Sequence, residues 1–117
     1  MIINKSKNIV LSENEIICPT LFSQARGLMF RKRQNLVMTF PEERKLSLHM
    51  FFVFFPIDVL LLNENKEVIE IKRNFKPFTF WSSREKGKYV VELAFKGEYK
   101  LKDIIEHDNL NKYKSKK

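Results

Sequence analysis

The sequence predicts a β-rich α+β domain: a single compact antiparallel or mixed sheet curled toward a partly closed barrel, with one short N-terminal helix and a helical turn near the C-terminus. Three observations predict it. The run at 48–62 is nearly continuous apolar sequence, interrupted only by His49, Pro56 and Asp58, and it is rich in aromatic and β-branched residues. Short apolar stretches bounded by turn-forming residues recur along the rest of the chain. Helical spacing is confined to two short stretches.

In chain order, Ile9-Val10-Leu11 and Glu15-Ile16-Ile17-Cys18 read as two short strands about the polar turn Ser12-Glu13-Asn14. Pro19 ends them, and Thr20 is a suitable N-cap. Leu21, Phe22, Ala25, Leu28 and Met29 then recur at helical spacing, with Gly27 where a C-cap belongs, which predicts a helix over 20–26. Leu36-Val37-Met38-Thr39-Phe40 is a strand closed by Pro41, and Glu42-Glu43-Arg44-Lys45 is a charged turn. Strand resumes from Leu46 to about Phe54. Pro56 cannot donate to a ladder, so 57–62 is a separate strand. Asn63-Glu64-Asn65-Lys66 is a hairpin turn into a strand over 67–72 with one solvated face. Phe75, Pro77, Phe78, Phe80 and Trp81 lack helical spacing and read as an extended loop covering an open end of the core. Residues 88–95 form a last strand ended by Gly97. Residues 100–105 read as a helical turn with Leu101, Ile104 and Ile105 facing inward.

At 117 residues and 14.0 kDa, one domain is expected, placed at 1–111. A chain of this size buries roughly two-thirds of its unfolded surface without staples. There are 11 Phe; that side chain has no polar group, so most are expected inside. A single cysteine, Cys18, allows no disulfide within the chain and points to a reducing cytoplasm. The N-terminus lacks an apolar stretch after a basic start, so no secretory signal is read there. The apolar run is shorter than the ~20 residues a spanning helix needs, so it is a core segment and not a membrane anchor.

The formal charge of +8 invites a polyanion partner. Four lysines fall in residues 112–117, read as a disordered basic tail, and without them the excess is +4. That tail is either a solubilising end or a polyanion contact. A second concentration of bases is Arg26, Arg31, Lys32 and Arg33.

Three stretches together resemble a family catalogued as domain of unknown function 192. Ala25-Arg26-Gly27-Leu28-Met29-Phe30-Arg31 is similar to its opening Arg-Gly-Leu-Met-Phe-Arg signature. Pro56-Ile57-Asp58-Val59-Leu60-Leu61-Leu62-Asn63 resembles its Pro-Leu-Asp-Val strand, and Tyr89-Val90-Val91-Glu92-Leu93 with Gly97 its Tyr-Val-Leu-Glu-Leu strand and following glycine. Order and spacing agree from about residue 20 to 110. Where many members place Trp-Met-Lys-Asn-Thr, this chain has His49-Met50-Phe51-Phe52-Val53, and the usual Gly-Asp near the C-terminus is His107-Asp108. The resemblance implies a small, mainly β fold and no agreed reaction.

No residue stands out as catalytic. Asp58 lies in the greasiest part of the chain, where an unpaired carboxylate would be costly. It is therefore exposed, bonded to backbone amides or paired with a base; Arg26 and Arg31 are the natural bidentate partners. The group Arg26, Arg31, His49 and Asp58 is either a structural ion pair or a carboxylate-centred pocket of a small enzyme. His49 reads as a structural histidine, because no partner for acid–base work is visible. Two His and one Cys supply no zinc spacing, so no metal is expected. Cys18 lacks a recognisable base, Ser82-Ser83 lacks a nucleophile-elbow context, and no phosphate-binding glycine loop occurs, so no cofactor is expected. Lys72, Arg73, Lys76, Trp81 and Arg84 interleave bases with rings, as single-strand binders do. They are either an anion or nucleic-acid contact or the solvated rim of an aromatic plug. The functional expectation is a cytoplasmic, non-catalytic binding or accessory domain with a basic rim for an anionic partner, nucleic acid or metabolite. The alternatives are the small enzyme around Asp58 and a subunit that docks through an exposed Phe-rich patch.

Overall fold

The computed structural model describes residues 1–18, 31–95 and 97–107. Its strands are β1 (Ile2–Asn4), β2 (Ile9–Ser12), β3 (Glu15–Cys18), β4 (Asn35–His49), β5 (Ile57–Leu62), β6 (Val68–Phe75), β7 (Phe80–Leu93) and β8 (Ile105–His107). They make two sheets. One is small, in the order β2-β1-β8; the other has five strands in the order β3-β4-β7-β5-β6. All pairings are antiparallel except β3 with β4, which run parallel from Glu15↔Asn35 to Cys18↔Met38.

The greasy run is explained by two cores, one on each face of the larger sheet. Side chains on a strand alternate between faces. Val59 and Leu61 of β5 join Leu36, Met38, Val90 and Phe75 on one face, whereas Leu60 and Leu62 join Val37, Val91 and Leu93 on the other. A strand covered on both sides reads as continuous apolar sequence, as 57–62 does. The second core is closed by the small sheet, through Ile2, Leu11 and Ile105. The first is closed by the molecule's own far end, through Leu46, Met50, Val53 and Phe55.

Several expectations are corrected. The described residues are all-β and hold no helix, their strands form two sheets in place of one curled sheet, and no closed barrel results. The helix expected over 20–26 lies outside the described residues, as does the tail at 112–117. The helical turn expected over 100–105 is a tight turn followed by strand. The Asp103 amide donates to the Lys100 carbonyl at 3.2 Å, Lys102 adopts φ 75°, and the Ile105 amide donates to Lys66 at 2.9 Å. Three apolar residues at helical spacing were too few to outweigh backbone partners offered by β1 and the 66–68 segment. Leu101 is consequently exposed, while Ile105 is buried.

The interruption expected at 41–45 is absent: β4 is one strand through Pro41. Its ladder with β7 jumps from Thr39↔Tyr89 to Arg44↔Gly87, so Pro41 sits in a bulge where no amide is required. Strand does not continue to Phe54; after His49 the chain turns. The aromatic stretch at 75–81 forms the end of β6, a turn and the start of β7, not a covering loop. The expectation that most Phe lie inside also fails. Of the nine described, Phe51, Phe52, Phe54, Phe78, Phe80 and Phe95 are exposed.

Candidate functional site

Two places gather the candidate residues, and they meet opposite ends of β7. His49 pairs with Phe80, the first residue of that strand, and Asp58 with Leu93, the last.

At the Leu93 end, Asp58 is half-buried and bonded through both oxygens. Its Oδ1 accepts the Asn74 amide at 2.8 Å, and its Oδ2 accepts the Tyr99 hydroxyl. The base beside it is Arg73, whose Nη1 is 3.9 Å from Oδ2. That guanidinium also donates to the Tyr99 carbonyl at 2.8 Å and lies over the Tyr99 ring. Burial pushes the Tyr99 phenol well above its ordinary range, and the Asp58 hydrogen bond and charge add to this, with Arg73 opposing. Asp58 opens onto a cleft of about 260 Å³ that is also lined by Arg33, Asn74 and Phe95. Arg33 is fixed there by its Nε donating to the Ala94 carbonyl at 2.7 Å, with its guanidinium over Phe95. Arg31 is half-buried. Arg26 lies outside the described residues.

At the Phe80 end, the β4 and β7 ladder runs out through Ser47↔Ser82, Leu48↔Trp81 and His49↔Phe80. It is capped by two turns joined through Met50, whose amide donates to Thr79 and whose carbonyl accepts the amides of Phe78 and Val53. Opposed residues share a face, so His49 and Phe80 stand side by side on the outside, while Leu48 and Trp81 point to the core. The Phe51 amide donates to His49 Nδ1 at 3.2 Å, and the Phe51 ring lies 5.2 Å from His49 and 5.1 Å from Phe80. A second cluster is Phe78 with Phe52 at 6.3 Å and Phe54 at 5.7 Å. Of the bases named from sequence, Lys76 and Arg84 are exposed here, Lys72 is half-buried on β6, and Arg73 is turned to Asp58. Trp81 is half-buried against Phe75.

The charge along the segments that meet here is one-sided. Residues 44–57 and 71–84 contain Arg44, Lys45, Lys72, Arg73, Lys76 and Arg84 and no Asp or Glu. Two acids reach in from outside: Asp58 faces Arg73, and Glu70 accepts the Arg84 and Glu85 amides at 2.9 and 2.8 Å, holding the β7 bulge to β6.

Sequence reasoning singled out the bases and Trp81 but missed the outward rings Phe51, Phe52 and Phe54, and it brought neither Arg33, named only among the bases, nor Tyr99 to Asp58. The two acid-free windows were a readable signal for the first group. Glu92 is buried on β7 between Leu36 and Val59, both core residues, and burial pushes its carboxyl up to about 7. No three His, Cys, Asp or Glu side chains converge as a metal-ligand set among the described residues. Nor is any helix there long and apolar enough to cross a membrane.

Comparison with known proteins agrees with the family suggested by the motifs. The model of domain of unknown function 192, described as "Uncharacterized ACR", matches residues 3–111. A UPF0127 protein of Pyrococcus horikoshii is 32% identical over 117 residues, covering 97% of each chain. A UPF0127 protein of Thermococcus sibiricus is 38% identical over 96 residues, 79% of this chain, which spans only 62% of that relative's length. Among solved structures, a suspected transcription regulator from Sinorhizobium meliloti superposes with TM-score 0.71 at 24% identity, over 77% of this chain and 78% of that one. A protein of unknown function from Novosphingobium aromaticivorans gives TM-score 0.70 at 21% identity, over 78% and 72%. At such identities the likeness concerns the fold alone. With the family model spanning nearly every described residue and a full-length relative beside it, the chain belongs to the DUF192 family of uncharacterised β-rich proteins.

Proposed function

We propose that this domain is a non-catalytic binding module whose Phe80 end takes an anionic partner. The observation that supports the reading is the pair of acid-free windows, 44–57 and 71–84. They hold six Lys and Arg residues and no Asp or Glu; Lys76 and Arg84 flank Phe80 in the chain, whereas Arg73 is turned to Asp58. Clustered bases raise the local concentration of an anion and hold it by contacts that salt weakens. Lys45, Lys76 and Arg84 are exposed, so their charge is available to a partner. The reading is of a cytoplasmic protein, supported by a single cysteine that permits no disulfide within the chain.

Elution from heparin against a salt gradient tests the proposal. The full chain is expected to be retained at low salt. Replacing Lys112, Lys114, Lys116 and Lys117 by Gln should leave most of that retention in place. The triple variant K45E/K76E/R84E should lose it. If the tail substitutions alone abolish retention, the domain's own end is not the contact and the proposal fails.

A further inference from the structure

We infer that the ring clusters at the Phe80 end form a stacking site for the unpaired bases of a single-stranded nucleic acid, an inference that rests on the anion-binding reading above. A basic surface alone would suit any polyanion; the rings narrow the choice. Phe80 is 73% exposed and Phe54 63%, far beyond what packing requires of the most apolar side chains in the chain. They are not scattered. His49, Phe51 and Phe80 form one contiguous group, and Phe52, Phe54 and Phe78 another. The two turns that carry them are zipped together by the Met50 backbone, so the rings stand on a fixed base.

The backbone adds an independent observation. Phe52 and Phe78 adopt φ 59° and 61°, in the left-handed region. That conformation is uncommon for bulky residues and is strained. Two aromatic residues are thus held in strained turns and displayed outward, where folding gains least from them. Strain of this kind persists where the surrounding structure enforces it and clusters at binding sites.

Chemistry identifies the partner. Aromatic faces beside bases are what single-stranded chains require: rings stack with nucleobases, which all present a π-face, and Lys or Arg contact the phosphates between them. A duplex hides its base faces, and heparin has none. Lys76 lies between the buried Phe75 and the exposed Phe78, and Arg84 follows Phe80 and Ser82 along β7. One exposed base thus precedes Phe80 in the chain and one follows it, each free of the core and able to meet phosphate. His49 positions Phe51 through its Nδ1 and adds a ring to the same group.

The test uses the full chain and three probes: a fluorescently labelled oligouridylate, the same strand annealed to oligoadenylate, and heparin. Single strand is expected to bind about 10-fold more tightly than duplex. F80A and F51A should each weaken single-strand binding about 10-fold while leaving heparin elution where it is. K76E should weaken both ligands and lower the single-strand salt slope by about 0.7. Near-UV circular dichroism and melting temperature confirm that the variants fold. Equal affinity for single strand and duplex, or Phe variants without effect while heparin still binds, overturns stacking and leaves the anion reading standing. Failure of every probe at low salt overturns both. A concentration-dependent dimer that F80A converts to monomer assigns the rings to self-association and likewise overturns the inference.

Discussion

Glu92 shows what one side chain can reveal about the inside of this sheet. It lies on the strand that carries the family's third motif, on the face that Leu36 and Val59 share. With burial pushing its carboxyl up to about 7 from an ordinary 4.5, the folded chain holds a proton there that the unfolded chain releases. The sign follows from linkage. Between roughly pH 4.5 and 7 the native state binds more protons than the unfolded one, so stability is greatest below that window and falls as pH rises through it. The shift corresponds to about 3 kcal/mol. E92Q removes the titrating group while keeping its shape. Urea midpoints of the wild type are expected to fall between pH 5 and pH 8 relative to those of E92Q. Parallel profiles for the two proteins would mean that Glu92 is not the proton carrier.

At the level of elements, the fold depends on close approaches that composition does not advertise. Gly87 stands opposite Arg44 where the β4 bulge rejoins the ladder. A Cβ there would lie 2.4 Å from Leu61 Cγ and Cδ1 and 2.9 Å from the Leu62 carbonyl oxygen, so β7 can cross β5 only with no side chain at this point. G87A is expected to destabilise by about 1–3 kcal/mol through overpacking, read as a lower urea midpoint with the slope unchanged. An unaltered midpoint would show that Leu61 can move aside. Strands such as Ile57–Leu62 and Glu15–Cys18 were legible because an apolar run between turn residues has few other uses. The unity of Asn35–His49 was not. Pro41 and four charged residues look like a break unless one knows that the bulge needs no amide. The turn at 100–103 was misread because periodicity over six residues fits a helix as well as a bend. For the candidate site, charge and aromatic content were visible in the sequence. Which rings face water was not, since that depends on the register His49↔Phe80 and on the Met50 turn.

Across the whole molecule, the two sheets are joined through the core they share and through a polar clasp between distant parts of the chain. β1 lies between β2 and β8, so residues about a hundred positions apart become neighbours. Asn4 is fully buried and donates through Nδ2 to Asp103 Oδ2 at 2.8 Å and to the Glu98 carbonyl at 3.0 Å. Asp103 also accepts the Lys100 amide at 3.0 Å, which fixes the turn into β8. Burial opposes the Asp103 charge, but the Asn4 and Lys100 hydrogen bonds, with the Lys7 and Lys100 charges, outweigh it and hold its pKa below the ordinary 3.8. A carboxyl lowered in this way stabilises the fold fully above its unfolded pKa and loses that contribution as pH falls through the folded value. The small sheet has no core apart from the one it shares, so it cannot unfold alone without exposing Leu60, Leu62 and Val91. N4A is therefore expected to lower the midpoint of a single cooperative transition by about 1–3 kcal/mol at pH 7, because it leaves a buried carboxylate short of a donor. The deficit should shrink as pH falls through the lowered pKa of Asp103 and its charge is lost in both proteins. A second, earlier transition in N4A would show that the small sheet is an independent unit. A deficit of the same size at low pH would show that the clasp does not depend on the charge of Asp103.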